Sequence, residues 1–185
     1  MDRTLIATVA DRPGVLNRVA SLFRRRAFNI ESLTVGHTER AGISRMTIVV
    51  DGRRTDAVQV ARNLRKLVDV LDVEDITDRP AVLCDLALIK VRIADLESRR
   101  ELLQIAEGFQ ARLVDMGSRT AVVEVSGDER KVDTAMEALR THGILEMVRT
   151  GRVAMIRGNS PADPHVGAGV ASKGTDDVDS HEGGS

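Results

Sequence analysis

The sequence has few aromatic residues: three phenylalanines, no tryptophan and no tyrosine in a chain of 185 residues. A sheet that binds single-stranded RNA needs aromatic side chains on which the bases can stack. Phe23 and Phe109 fall in stripes typical of helices, and only Phe28 lies near the start of a predicted strand. The formal net charge of -1 also gives no electrostatic reason to expect nucleic acid or an anionic membrane as a partner. The sequence therefore argues against RNA binding.

The chain has a single cysteine, Cys84, so no disulfide can form within it, and we expect a reducing compartment. Cys84 falls in a predicted strand without an activating neighbour, which indicates a buried structural thiol. No apolar run reaches the ~18 residues that a membrane-spanning helix needs. The first residues enter a predicted strand directly, without the features of a signal or transit peptide. We therefore expect a cytoplasmic protein with no membrane segment.

Motifs of catalysis and metal binding are also lacking. The four histidines, His37, His142, His165 and His181, do not have the spacing of metal ligands, and we expect them to be surface residues. No nucleophile is accompanied by a base at a recognisable spacing. The sequence thus favours a sensor over a free-standing enzyme.

Apolar periodicity predicts a βαββαβ unit in the first half of the chain. Short apolar runs predict strands at residues 4–9, 29–37, 44–50 and 70–76. Two helices between these strands are expected to turn one apolar stripe each toward the core. These stripes are Leu16, Val19, Ala20 and Phe23 in the first helix, and Ala57, Ala61, Leu64 and Val68 in the second.

The same order of elements recurs after Asp78, Arg79 and Pro80, which interrupt strand pairing. Strands are predicted at residues 82–93, 113–116, 121–125 and 145–156, and the helix stripes are Leu102, Ile105, Ala106 and Phe109, then Val132, Ala135, Met136 and Leu139. The sequence therefore predicts an α+β fold of two tandem ferredoxin-like βαββαβ units, residues 1–78 and 79–157. Residues 158–185 contain hardly any large apolar side chain and are expected to be a disordered tail.

The segment DRPGVL, residues 11–16, combines features that suit an amino acid ligand. Pro13 favours a helix start, and Gly14 lets a ligand approach the backbone without a Cβ in the way. The unpaired N–H groups of the first helical turn suit a carboxylate. Asp11 can accept from the ligand's ammonium group, and three residues can contact its apolar side chain: Val15, Leu16 and Ile30.

Asn29 begins the second strand, which is an edge strand in the usual 4-1-3-2 order of such a sheet. Its amide carries both a donor and an acceptor. If a two-fold partner paired this strand with its own copy, Asn29 of one chain would approach the turn containing Asp11 in the other. Asp11 is equally suited to cap the helix by accepting from the N–H of Gly14. Residue chemistry leaves ligand binding and capping both open.

Four segments closely resemble the small regulatory subunits of acetolactate synthase (acetohydroxyacid synthase), which begin with an ACT domain. They are DRPGVLNRVASLF at residues 11–23, FNIESLTVG at 28–36, SRMTIVV at 44–50 and KLVDVLDV at 66–73. NIESL followed by SRMTI is specific to this family, whereas DRPG occurs across many ACT domains. The resemblance is looser in the second unit, at LIKV (88–91) and VRTGRVAM (148–155). It implies an N-terminal ACT domain followed by an ACT-like domain.

The resemblance implies a non-catalytic subunit that forms homodimers through its ACT domains and binds a branched-chain amino acid, usually valine in bacteria. It also implies a catalytic large subunit as partner, which holds thiamine diphosphate, FAD and Mg²⁺, so that no cofactor belongs to this chain. By analogy the ligand contacts are Asp11, Gly14, Val15, Leu16, Asn29 and Ile30. Position 11 is often Asn in the family, and the carboxylate here would strengthen the ammonium contact but oppose a nearby ligand carboxylate. The runner-up is an ACT sensor that controls another enzyme or transcription.

Overall fold

The computed structural model describes residues 2–158. Its first unit contains one antiparallel sheet of four strands in the order β2-β3-β1-β4, with two helices on one face. The elements are β1 (Asp2–Ala10), α1 (Val15–Arg25), β2 (Ile30–His37), β3 (Ile43–Asp51), α2 (Ala57–Leu64) and β4 (Val70–Asp75). The order confirms that β2 lies at an edge of its sheet.

The second unit repeats this arrangement with an additional strand. Its sheet has the order β6-β7-β5-β8, and β9 also pairs with β5. The elements are β5 (Ala81–Arg92), α3 (Leu96–Gly108), β6 (Arg112–Met116), β7 (Thr120–Gly127), α4 (Glu129–Leu139), a 3-10 turn (Arg140–His142), β8 (Ile144–Arg149) and β9 (Val153–Ile156). The prediction of two ferredoxin-like units is thereby confirmed.

Each unit has its own apolar core between the sheet and its helices. Alternate residues of the central strand β1 point to the helices because successive side chains of a strand face opposite sides. Phe23 of α1 is 2% exposed in the first core, and its ring meets that of Phe28 edge-on with centroids 6.0 Å apart. A third, small cluster consists of Ile6, Ile76 and Ala154 and joins the two units.

Two predicted helix stripes differ from the structure. The buried residues of α1 are Val15, Val19, Leu22 and Phe23. Leu16 is 47% exposed and Ala20 is also exposed, because the core stripe starts at the first helical residue, Val15. Val68 is 89% exposed because α2 ends at Leu64, so the helical period no longer applies there.

The predicted strand at residues 145–156 is divided into β8 and β9. Val148 and Arg149 pair with Leu88 and Ala87 of β5, whereas β9 resumes with Val153 opposite Cys84. Residues 150–152 therefore oppose only two residues of β5, which makes them a β-bulge. We call residues 150–152 the bulge. The extra residue bends the backbone so that Gly151 and Arg152 lie against β2 of the first unit.

The domain limits proposed from the sequence, with a division at residue 78, stay predictions. The predicted tail lies outside the described residues except for Gly158, and so do His165 and His181. Within residues 2–158, no helix has both the length and the apolar character required to cross a membrane.

Candidate ligand-binding site

The turn between β1 and α1 leaves the start of the helix without a side-chain cap. Gly14 is the N-cap residue and has a φ of 85°, a left-handed conformation that favours glycine. Within residues 2–158, a Cβ at this position would meet only Arg18 Nη1, at 3.9 Å, so this part of the chain leaves the approach to the turn open. Val15 N–H donates to the Arg12 carbonyl at 3.3 Å. The first turn of α1 contains no acidic side chain, which leaves the positive end of the helix dipole without a carboxylate of its own.

Asp11 contacts His37 rather than the helix. Its Oδ2 lies 3.1 Å from His37 Nδ1, and its backbone N–H donates to the Gly42 carbonyl at 2.8 Å. The capping role that the sequence left open for Asp11 is therefore not adopted. His37 ends β2, so this contact joins the β1–α1 turn to the edge strand of the sheet.

An ion pair between the half-exposed Arg18 and the buried Asp69 lies beside the same turn. The side chain of Asp69 is 7% exposed, and its Oδ2 lies 2.7 Å from Arg18 Nε. The Asp69 carbonyl also accepts from Ala10 N–H at 2.8 Å. Arg18 thereby holds the first turn of α1 against the residue that precedes β4. Sequence reasoning missed His37, Arg18 and Asp69, although the position of Arg18 one helical turn after Gly14 was a usable signal.

The apolar residues predicted to line the site have different environments. Leu16 is 47% exposed and available for contact. Val15 is 4% exposed and belongs to the core, which leaves its backbone rather than its side chain for a ligand. Ile30 is partly buried and packs against the same core. Leu16 and Ile30 thus keep apolar surface outside the core, whereas the side chain of Val15 does not.

Within one chain, Asn29 and Ile30 lie far from the turn. Ile30 is level with Val50 of β3, whereas His37 is level with Ser44. The two ends of β2 are therefore separated by about 23 Å, at about 3.3 Å per residue. Asn29 is exposed, and its Nδ2 donates to Glu31 Oε1. The structure thus brings Asp11, Gly14, Val15 and Leu16 together at one end of the sheet and leaves Asn29 and Ile30 at the other.

Cys84 and His142 belong to the second unit. Across residues 2–158, no three His, Cys, Asp or Glu side chains are grouped so that they could hold a metal ion. Cys84 is partly exposed, not buried as predicted, because β5 carries it on the open face of the second sheet. His142 was predicted at the surface, but its side chain is only 4% exposed, and its Nε2 lies 4.0 Å from Glu101 Oε2 of α3. The 3-10 turn that follows α4 carries this side chain toward α3.

Comparison with known proteins gives two family models that together match most of the described chain. The model described as "AHAS small subunit-like ACT domain" matches residues 5–72, and "Small subunit of acetolactate synthase" matches residues 85–158. The probable acetolactate synthase small subunit of Archaeoglobus fulgidus is 48% identical over 159 residues, covering 86% of this chain and 99% of that protein. The chain belongs to the acetolactate synthase small-subunit family.

Two further relatives agree with this assignment. The acetolactate synthase small subunit of Bacillus subtilis is 45% identical, covering 85% of this chain and 92% of that protein. The crystal structure of the acetolactate synthase small subunit from Thermotoga maritima superposes with a TM-score of 0.79 at 36% identity, covering 86% of this chain and 99% of that one. The resemblance found in the sequence is thereby confirmed. Family membership makes the chain a regulatory subunit of branched-chain amino-acid biosynthesis.

Proposed function

We propose that this subunit activates the catalytic large subunit of acetolactate synthase and makes it subject to feedback inhibition by valine or a related amino acid. The observation that carries the proposal is the uncapped start of α1, open at Gly14, beside the end of the edge strand β2. An amino acid has a carboxylate for the helix amides and an ammonium group for Asp11. The chain itself carries out no catalysis.

The second half of the proposed site comes from a second copy of the chain. Among residues 2–158, no strand pairs with the outward edge of β2, and edge strands are normally covered or paired. Antiparallel pairing of β2 with its copy would bring Ile30 of one chain level with His37 of the other. Asn29 would then approach Asp11 across the two-fold axis. This pairing removes the separation of about 23 Å that keeps these residues apart within one chain.

Each part of a branched-chain amino acid then has a partner of matching chemistry. Its carboxylate accepts from the amides that follow Gly14, where the helix dipole favours a negative charge. Its ammonium donates to Asp11 and to the amide oxygen of Asn29, in competition with His37 for the Asp11 carboxylate. Its aliphatic side chain packs between Leu16 and Ile30. One methylene changes such contacts by about 1–3 kcal/mol, so selectivity among valine, leucine and isoleucine should be limited.

The cofactors of the reaction belong to the partner in this proposal. Thiamine diphosphate, FAD and Mg²⁺ are expected in the large subunit, and this chain supplies none of them. Ligand binding shifts the complex between a more active and a less active arrangement. Such coupling between two sites is typically worth about 1–3 kcal/mol and is reciprocal. Binding of the large subunit should therefore change the affinity for valine by the same factor by which valine changes the affinity for the large subunit.

The test combines calorimetry with an activity assay. The full chain is titrated with valine, leucine and isoleucine, and then mixed with its cognate large subunit with and without valine. We expect binding heat, a higher rate when the chain is added, and a lower rate when valine follows. Isovalerate, which has the carboxylate and the side chain but no ammonium group, is the matched ligand control and should have little effect. A correctly folded chain that releases no heat with any of the three amino acids would contradict the proposal.

A further inference from the structure

The bulge contacts β2 through a residue that has no side chain. A Cβ built on Gly151 would lie 2.5 Å from Ser32 Oγ, 2.6 Å from Thr34 Oγ1 and 3.2 Å from the Leu33 carbonyl oxygen. Real Cβ atoms essentially never come within such distances of two hydroxyl oxygens, so only glycine fits against the strand. The backbone of the second unit therefore rests directly on the outer face of β2.

Hydrogen bonds from the next residue hold this contact in place. Arg152 N–H donates to Ser32 Oγ at 3.0 Å. Its guanidinium Nη1 donates to Thr4 Oγ1 at 3.3 Å, so the bulge also reaches the central strand β1. Both acceptors are short side chains close to the backbone, which leaves little freedom for the strands to move independently of the bulge.

The same bulge is fixed firmly within the second unit. Arg149, which precedes it, contacts the buried Asp85 of β5 at 2.7 Å and Asp133 of α4 at 2.7 Å. The guanidinium of Arg152 also donates to Glu129 of α4 at 2.5 Å. The two arginines on either side of Gly151 thus join the bulge to a central strand and to a helix. A displacement of the bulge must be followed by α4 or must break these ion pairs.

We infer that the contact of Gly151 and Arg152 with Ser32 transmits occupation of the amino acid site at β2 to the second unit, and that α4 receives the change. This inference rests on the proposed function, because it assumes that ligand and second copy bind at β2. The strand then has three surfaces with separate tasks. Its edge pairs with the second copy, and its inner face packs on the core of the first unit. Its outer face contacts the bulge, so that a shift of β2 displaces the bulge. Packed contacts of this kind switch between discrete arrangements and do not deform continuously.

The decisive experiment compares Gly151→Ala with Gly108→Ala in the full chain assembled with its large subunit. Gly108 has ordinary backbone geometry, and among the described residues nothing lies within 4 Å of its Cβ position. Gly108→Ala therefore shows the effect of a glycine-to-alanine change that creates no steric clash. We expect both variants, as free chains, to bind valine with the parent's affinity, and both to activate the large subunit. At saturating valine, Gly151→Ala should keep at least about fivefold more activity than the inhibited parent, since coupling between sites typically corresponds to about 5–150-fold. Gly108→Ala should be inhibited like the parent.

A second variant covers the case in which Gly151→Ala does not fold, as monitored by thermal unfolding. Ser32→Ala removes the acceptor of the Arg152 amide without adding volume. It should leave valine binding to the free chain unchanged and should leave the enzyme severalfold more active than the parent at saturating valine. Combined with Gly151→Ala it should add nothing further, because both changes break one contact.

The outcomes separate the inference from the proposed function. If valine binds and inhibits the parent, and Gly151→Ala or Ser32→Ala is inhibited to the same extent at the same concentration, the bulge does not transmit the signal. If the parent itself binds none of the three amino acids, the proposed function is wrong and this inference falls with it.

Discussion

Arg149 donates to the carboxylate of Asp85 across 2.7 Å, and this ion pair joins the second unit's bulge to its central strand. The side chain of Asp85 is 8% exposed and that of Arg149 is 25% exposed. Burial by itself lowers the pKa of Arg149, but the hydrogen bonds and charges of Asp85 and Asp133 together outweigh burial and raise this pKa above its usual value. Arg149 therefore keeps its positive charge under all physiological conditions.

Removing this guanidinium should destabilise the fold strongly. In Arg149→Met the buried Asp85 carboxylate loses its hydrogen-bonded partner and is left with Arg152 Nε at 4.0 Å. Breaking a buried pair costs about 3–5 kcal/mol, and because Arg152 keeps part of the compensation, we expect the lower end of this range. Arg112 is the matched control because it lies at a similar distance, 2.6 Å, from Glu124 but is 72% exposed. Arg112→Met should cost much less, because exposed ion pairs are screened by water and contribute little to stability. Chemical denaturation measures the free energy of unfolding of both variants. Equal losses would show that burial of Asp85 does not make its ion pair more important for stability than the exposed pair.

Gly14→Asp should abolish inhibition by valine while activation is retained. The new carboxylate would occupy the position proposed for the ligand carboxylate and repel it. Gly143→Asp is the control, since Gly143 has a similar φ of 74°, has open space around it and lies in the second unit. Both changes should lower the free energy of unfolding by about 1–2 kcal/mol, the cost of a left-handed residue with a Cβ. Inhibition assays on both variants at the same valine concentrations test this prediction. Normal inhibition of Gly14→Asp would refute the assignment of this turn as the site of the ligand carboxylate.

Leu16→Ala should weaken ligand binding with little effect on folding. Leu16 is 47% exposed in the single chain, so its truncation removes little core packing. Contact with an aliphatic ligand would bury the remaining surface, worth about 1 kcal/mol, so we expect an affinity roughly fivefold lower. Leu71→Ala is the control because Leu71 is 52% exposed on β4, at the opposite edge of the sheet. Equal calorimetric affinities of the two variants would argue against Leu16 as a ligand contact.

Acid should remove a stabilising contribution of Asp51. Hydrogen bonds from the side chain and the backbone N–H of Arg53 lower the pKa of Asp51 below its usual value. A carboxylate with a depressed pKa in the folded state stabilises the fold above its unfolded pKa of about 3.9 and loses this effect as the pH falls through the folded value. Asp51→Asn should therefore show a smaller loss of stability than the parent between about pH 4 and pH 2. Denaturant titrations at several pH values test this, and parallel curves would contradict it.

The periodicity of apolar residues was sufficient to predict the succession of helices and strands. Stripes such as Val132, Ala135 and Leu139 depend only on the local period of a helix, and these three residues are indeed buried in α4. The predicted helix stripes were wrong at residues where the helix starts or ends a few positions away from the predicted boundary. Val68 lies beyond the end of α2, and Leu16 lies outside the stripe that starts at Val15. Boundaries depend on capping and on tertiary contacts as well as on apolar spacing.

The candidate site was only partly accessible from the sequence. The turn around Gly14 has a local signature, because its residues are consecutive and their backbone geometry follows from residue type. The contact of Asp11 with His37 has no such signature, since it depends on which end of β2 lies beside the end of β1. The separation of Asn29 from the same turn follows from the register of β2 on β3.

The sequence by itself determined that this protein has two βαββαβ units and a helix that starts at a proline–glycine turn, because short-range periodicity and residue type encode these features. The family was indicated by the resemblance of specific segments, such as NIESL followed by SRMTI. Only the tertiary structure decided that Gly151 rests on Ser32, that Asp85 is buried beside Arg149, and that a bulge interrupts the last strand. The physical reason is that such contacts depend on strand register and on the packing of one sheet against another. Neither can be read from the spacing of residues along the chain.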